Sequence, residues 1–215
     1  MGLLDYLTLS RWRPGRSKPR PPDTAAPAPY PSRRPYPGAP GARRRQPVPA
    51  QIGRFYVPLA VLEATSRAMQ RFGREERECY VWWGGYFTGA GDGQVVTALC
   101  PEVPTSFGRV HLGVRELGAL HARLRELDQV LLVELHTHPP GAGGQNEVDA
   151  AHPAAPYRGF ISVVVPDFAF PHLHDLRETY LYEYVDANRW RELDSAEIAN
   201  RFIVEEGFLP VPGDG

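Results

Sequence analysis

The spacing of apolar residues predicts three helices after residue 54. Leu59, Leu62 and Met69 fall on one face of a 3.6-residue period, and Pro58 suits a first helical turn. The same kind of spacing recurs twice further along the chain. The predicted helices are Pro58–Phe72, Leu112–Leu127 and Ser195–Phe202, the last with Ser195 as its N-cap.

Short apolar runs bounded by Gly, Pro or charged residues predict the strands. They are Cys79–Phe87, Gln94–Cys100, Val130–His136, Phe160–Val165 and Tyr180–Tyr184. Alternation along the aromatic first run would bury one of Trp82 and Trp83 and expose the other, to face either a partner or the helix layer. Helices interspersed with strands and hairpins predict an α/β fold with a mixed β-sheet sandwiched by helices.

The chain divides into three parts by composition. Residues 1–10 form a short apolar segment, in which Leu3, Leu4 and Leu7 could make a docking helix. Residues 11–50 carry twelve prolines and ten Lys or Arg against one Asp, which predicts a disordered basic tail. The tail is either a tether for an acidic partner, nucleic acid or membrane surface, or a solvated linker with no specific ligand. Residues 51–215 form the predicted domain.

Other features of composition narrow the class of protein. No apolar run is long enough for a transmembrane helix, and the first residues lack the pattern of a signal peptide. The two cysteines, Cys79 and Cys100, are too few for a disulfide scaffold and are expected to be buried core thiols. We therefore expect a cytoplasmic protein with no membrane span and no specific nucleic-acid partner.

Three residues that can bind a metal lie within fourteen positions, directly after the predicted strand Val130–His136. His136 and His138 are two apart, so on a strand their side chains point to the same face. A helix that starts at Asn146 could bring Asp149 back towards both imidazoles. Two His and one carboxylate, with a fourth position left to water, is a catalytic Zn²⁺ arrangement.

Hydrolysis at such a site also needs a carboxylate, because the attacking water must lose a proton and the leaving amine must gain one. Two residues fit this role. Glu78 opens the aromatic strand, and Glu134 lies two residues before His136, on the strand face of both histidines. The spacing of the residues leaves both candidates open.

The remaining histidines offer weaker candidates. His172 and His174 repeat the spacing of the first pair, but no Ser or Asn followed by Asp comes after them, which indicates a loop. His152 is an alternative ligand, although Pro153 directly after it indicates the end of the short helix. His121 has no recognisable partner.

Six positions together resemble the motif of the JAMM (MPN+) zinc metalloproteases: Glu78, Gly85, His136, His138, Pro139 and Asp149. The resemblance covers about residues 55–210. Its later part, residues 159–168, is similar to the bacterial branch found beside ubiquitin-activating-like and ubiquitin-conjugating-like proteins. The resemblance implies the JAMM fold, which is cytidine-deaminase-like, with Zn²⁺ held by the two histidines and Asp149. It also implies that Glu78, rather than Glu134, is the general acid/base.

One position departs from the family pattern. Asn146 stands where the family has a serine whose hydroxyl helps to hold the water or stabilise the oxyanion. An Asn amide can donate a hydrogen bond to an oxyanion, which makes Asn146 a candidate catalytic residue. Asn is also a good N-cap, so the residue has a structural interpretation as well.

The resemblance implies a function and a setting. It is an isopeptidase that cleaves after the C-terminus of a ubiquitin-like protein, in precursor processing or deconjugation, with activating-like and conjugating-like partners in phage defence. Two alternatives stay open: an inactive scaffold of the same fold, and a peptidase of small sulfur-carrier proteins. The three retained ligands and Glu78 count against the scaffold. The tail and the segment after Asp175 count against the sulfur-carrier peptidase.

Overall fold

A mixed β-sheet with helices on both faces is the frame of the molecule. The computed structural model describes residues 10–12, 47–101, 103–110 and 112–206. Residues 1–9 of the predicted apolar segment, most of the predicted tail and residues 207–215 lie outside the described residues. Where the apolar segment meets the tail, Ser10–Trp12 forms a short strand (β1) that pairs in parallel with residues 99–101.

The remaining elements follow in chain order. The strands are β2 (Phe55–Pro58), β3 (Tyr80–Phe87), β4 (Gly93–Pro101), β5 (Thr105–Ser106), β6 (Arg109–Val110), β7 (Val130–Thr137), β8 (Ile161–Val165), β9 (Tyr180–Asp186), β10 (Arg189–Glu192) and β11 (Phe202–Glu205). The helices are α1 (Leu59–Gly73), α2 (Val114–Glu126), α3 (Glu147–Ala151) and α4 (Ser195–Arg201). No described helix has both the length and the apolar character that crossing a membrane requires.

The sheet runs in the order β10-β9-β8-β7-β3-β4-β2-β11, with β1 also on β4, while β5 and β6 form a separate hairpin. Strands β7 and β8 are parallel, and β3 is antiparallel to β7. The C-terminal end of β7 therefore lies between the end of β8 and the beginning of β3. This edge of the sheet is where the sequence predicts the metal ligands and their base.

Two cores cover the two faces of the sheet. Helix α1 packs on the core that contains Trp83, and α2 packs on the core that contains Trp82. Both indole rings are fully buried, so exposure of one ring is wrong, while the predicted alternative of a ring that faces the helix layer is confirmed. Alternation still holds, since the rings point to opposite faces, but each face is covered by a helix. The prediction of a mixed sheet between helices is confirmed.

Several boundaries differ from the predicted ones for local reasons. The N-cap of α4 is Asp194, not Ser195, because the Asp194 carboxylate accepts hydrogen bonds from the amides of Ala196 and Glu197 at 2.9 and 2.8 Å. Strands β2, β10 and β11 are only four residues long and were not predicted. At Gly85 the register of β3 against β4 shifts, and a Cβ there would lie 1.9 Å from the Gln94 carbonyl oxygen.

Candidate metal centre

The end of β7 and the short helix α3 bring three side chains to one point. The Nε2 atoms of His136 and His138 are 3.2 Å apart. The Asp149 Oδ2 atom lies 3.4 Å from the first nitrogen and 3.3 Å from the second. The structure therefore brings together all three predicted ligands, and they form the one group among the described residues whose donor atoms could share a metal ion.

The backbone at the end of β7 is held from both sides. The Thr137 amide donates to the Cys79 carbonyl at 3.0 Å, and the Cys79 amide donates to Thr137 Oγ1 at 2.9 Å. On the other side, the His138 amide donates to the Val165 carbonyl at 2.9 Å. Sheet bonds thus fix the residue between the two histidines, and the imidazoles start from a rigid backbone.

Each imidazole ring is oriented by a different contact. His138 Nδ1 lies 3.1 Å from the Gly143 carbonyl, which makes Nδ1 the protonated nitrogen and leaves the Nε2 lone pair facing the other ligands. The His136 ring stacks on Tyr80, with centroids 4.9 Å apart and planes 14° from parallel. His136 Nδ1 is buried and has no hydrogen-bond partner within the described part of the chain, so ring stacking takes over the orienting role.

Asn146 starts α3, as the sequence predicts. Its Oδ1 accepts hydrogen bonds from the amides of Val148 at 2.8 Å and Asp149 at 3.1 Å, while its own amide donates to Asp149 Oδ2 at 3.0 Å. This reciprocal capping box fixes the Asp149 carboxylate at the start of the helix. Because Oδ1 serves the cap, the side-chain nitrogen Nδ2 is the group left for other partners.

The three side chains fit a tetrahedral metal ion. Zinc bound at about 2.0–2.1 Å places its tetrahedral ligand atoms about 3.3–3.4 Å from one another. The three separations here, 3.2, 3.3 and 3.4 Å, have that size. Two imidazole nitrogens and one carboxylate also match zinc better than magnesium or calcium, which prefer oxygen ligands.

The close approach of these side chains shifts the pKa values of Asp149 and His138. Burial raises the pKa of Asp149, but hydrogen bonds with His136 and His138 outweigh burial and hold the pKa well below its ordinary value. Burial lowers the pKa of His138, and its contacts with Asp149 outweigh this and raise it. The carboxylate is therefore ionised and matched to a cation, which is either a metal ion or a protonated imidazole.

The two candidate bases, Glu78 and Glu134, differ in pKa and in hydrogen bonding. Glu78 directly precedes Cys79 and is buried, and burial raises its pKa to about 7, with the charge of His138 opposing and that of Asp149 adding. A carboxyl group with this pKa can exchange a proton near neutral pH. Burial also raises the pKa of Glu134, to about 8, but its Oε2 accepts a hydrogen bond from the Ala154 amide at 3.1 Å. Glu134 is thus engaged by the backbone.

The other predicted site residues do not join the centre. His172 lies in a loop, with Nδ1 2.8 Å from Ser66 Oγ, and His174 packs beside it. His152 ends α3, and its Nδ1 lies 2.9 Å from the Val148 carbonyl, so it is not a ligand. Cys79 and Cys100 are buried thiols, as predicted, with sulfur atoms 3.7 Å apart.

Sequence reasoning missed two contributors to the site. Tyr80 is predicted only as part of the aromatic strand, yet its ring stacks on a predicted ligand. Its position two residues after Glu78 is the available sequence signal, whereas the register of β3 and β7 that sets it opposite His136 comes from the structure. His121 was left without a partner, and its Nε2 lies 3.2 Å from the Ala154 carbonyl, beyond the end of α3. No sequence pattern indicates that contact.

Comparison with known proteins supports the fold and leaves the chemistry to the residues. No family model matches the chain. The structure is similar to that of protein DSY2949 from Desulfitobacterium hafniense, with a TM-score of 0.52 and 15% identity over 71% of this chain and 94% of that one. A Salinibacter ruber protein aligns with a TM-score of 0.42 and 17% identity over 67% and 90% of the two chains. Neither is named for an activity, and only the first likeness supports a shared fold.

Proposed function

We propose that this protein is a zinc-dependent peptidase of the JAMM type that cleaves after the C-terminus of a ubiquitin-like protein. The observation that carries the proposal is the convergence of His136, His138 and Asp149 at tetrahedral spacing. Glu78, buried beside them with a raised pKa, supplies the proton-transfer group that hydrolysis needs. The α/β fold with helices on both faces is compatible with the JAMM fold that the sequence motif resembles.

The residues divide the work of hydrolysis among themselves. A bound zinc ion would supply Lewis acidity, lowering the pKa of its water ligand and polarising the scissile carbonyl. Glu78 accepts the proton of the attacking water and passes it to the leaving nitrogen, because its pKa of about 7 allows both states at neutral pH. Asn146 uses its free Nδ2 to donate a hydrogen bond to the developing oxyanion.

The substrate class rests on the sequence resemblance rather than on a shaped pocket. The motif and residues 159–168 are similar to bacterial JAMM proteins found beside ubiquitin-like conjugation enzymes, which favours a ubiquitin-like tail as substrate. An inactive scaffold is the second candidate. The specific observation in its favour is Asn146. Its side-chain carbonyl oxygen caps α3, and the chain has no serine hydroxyl at this position to hold the water or stabilise the oxyanion.

Cleavage and metal content measured together test the proposal. The wild-type chain, Glu78→Gln and Glu147→Gln would be loaded with zinc and incubated with ubiquitin fused through its C-terminus to a fluorescent protein. Glu147 is an exposed carboxylate on the same helix as Asp149, so its variant is a matched control. We expect one bound zinc in all three proteins, cleavage by the wild type and control, and none by Glu78→Gln.

Two results would contradict the proposal in different ways. Equal cleavage by Glu78→Gln would show that another group moves the proton. A wild-type protein that neither retains zinc nor cleaves the fusion when zinc is supplied would favour the scaffold.

A further inference from the structure

The helix that carries the third ligand has no hydrophobic anchor. None of the five residues of α3 is buried. A helix this short is not stable by itself, and most helices in proteins are held by an apolar face. The position of Asp149 must therefore be set by polar contacts and by the chain on either side of α3.

Ala154, three residues after the end of α3, is held by side chains from two elements. The Ala154 amide donates to Glu134 Oε2 at 3.1 Å, and the Ala154 carbonyl lies 3.2 Å from His121 Nε2. Glu134 belongs to β7 and His121 to α2, so the strand and the helix packed on it hold opposite sides of one residue. A third contact, from Trp190 Nε1 to the Ala150 carbonyl at 2.9 Å, ties α3 itself to β10.

The stability of the fold alone does not explain why a glutamate makes the contact with the Ala154 amide. Glu134 is 2% exposed, and none of the ion pairs among the described residues includes it. Burying an ionisable group costs free energy unless its polar atoms are hydrogen-bonded. Its value therefore lies in what its acceptor oxygen holds in place.

We propose that Glu134 is a positioning residue for the metal centre: by holding the Ala154 amide, it fixes the end of α3 and so aims Asp149 at His136 and His138. Glu134 is close to the ligands in the structure, because it lies two residues before His136 on the same face of β7. Strand β7 thus bears Glu134 and one predicted ligand, His136, and it ends directly before the second, His138. This inference rests on the proposed metal site, and it is independent of which substrate is cleaved.

Zinc affinity, measured by competition with a chromophoric chelator, tests the inference without using activity. Glu134→Gln keeps a carbonyl oxygen that can accept from Ala154, and it should bind zinc within about threefold of the wild type. Glu134→Leu keeps the size and loses the acceptor, and its affinity should fall about 10- to 100-fold, as for other groups that orient metal ligands. Trp190→Phe removes the donor to Ala150 together with part of the ring that packs on Phe160 and Tyr184, and it should lose about fivefold.

The control is Ser66→Ala. Ser66 is a buried polar residue of α1 whose hydroxyl accepts from the Leu173 amide at 2.9 Å, away from the metal centre. It should lower the melting temperature of the metal-free protein and leave zinc affinity unchanged. If Glu134→Leu binds zinc as tightly as the wild type, or if Gln and Leu lose affinity equally, the positioning role is wrong. A wild type that does not bind zinc overturns the proposed function and this inference together.

Discussion

Removal of the Asn146 side chain is the sharpest perturbation of the candidate metal centre that leaves every proposed ligand in place. Asn146→Ala deletes the acceptor of two amide hydrogen bonds, at 2.8 and 3.1 Å, that start α3. Loss of such an N-cap costs about 1 kcal/mol, within a range of roughly 0.5–2. Since α3 has no buried residue, no apolar contact compensates, and the cost falls on the placement of Asp149.

The expected loss can be expressed as zinc affinity. A tenfold change in a binding constant corresponds to about 1.4 kcal/mol, so a cap worth about 1 kcal/mol should weaken zinc binding about fivefold. Asn146→Ser retains a capping oxygen and should bind zinc nearly as well as the wild type. The assay is chelator competition on the full chain at fixed pH and ionic strength.

The chain offers a matched control for this experiment. Asp194 caps α4 with the same reciprocal pattern, and α4 contributes no predicted ligand. Asp194→Ala should lower the free energy of unfolding by a similar amount and leave zinc affinity unchanged. Wild-type affinity in Asn146→Ala would refute the reasoning that the cap positions Asp149.

Two further predictions concern the fold. Gly85→Ala should destabilise the protein by about 3 kcal/mol or more in urea unfolding, because the new Cβ would lie 1.9 Å from the Gln94 carbonyl oxygen. Gly118 lies on the exposed face of α2, and a Cβ there would have no atom within 4 Å, so Gly118→Ala should stabilise the protein by about 0.5–1 kcal/mol. Equal effects at the two glycines would contradict this account. Burial raises the pKa of Glu183, but hydrogen bonds from Arg201 and a second arginine outweigh it and hold the pKa below its ordinary value. Its contribution is therefore present above the unfolded pKa of about 4.3 and lost as pH falls through the lower folded pKa. Glu183→Gln should cost about 1–2 kcal/mol at pH 7 and progressively less below about pH 4, and a constant difference across that range would be inconsistent with the ion pairs.

The parts of the site that could be predicted are those that depend on residues a few positions apart in the sequence. The apolar run before His136 predicts a buried strand, and the two-residue period places His136 and His138 on one face. Asn146 three residues before Asp149 predicts the capped turn that returns the carboxylate. In each case the physical cause acts within a few residues, so the pattern and the structure agree.

The parts that could not be predicted depend on contacts between distant segments. Burial of both Trp82 and Trp83 requires a helix on each face of β3, which the alternation of one strand cannot reveal. The Tyr80–His136 stack depends on the register between β3 and β7. The contact of Glu134 with Ala154 depends on where the chain returns after α3, and it gives Glu134 a structural partner that the sequence pattern did not indicate.

X-ray absorption at the zinc edge of the zinc-loaded chain tests the central claim most directly. We expect one zinc per chain with four nitrogen or oxygen neighbours at about 2.0–2.1 Å, two of them showing the outer-shell scattering of imidazole. Substitution of His138 by Ala should remove one imidazole contribution. Sulfur neighbours at about 2.3 Å, which would place the metal at Cys79 and Cys100, or a spectrum unchanged in the His138→Ala variant, would contradict the account.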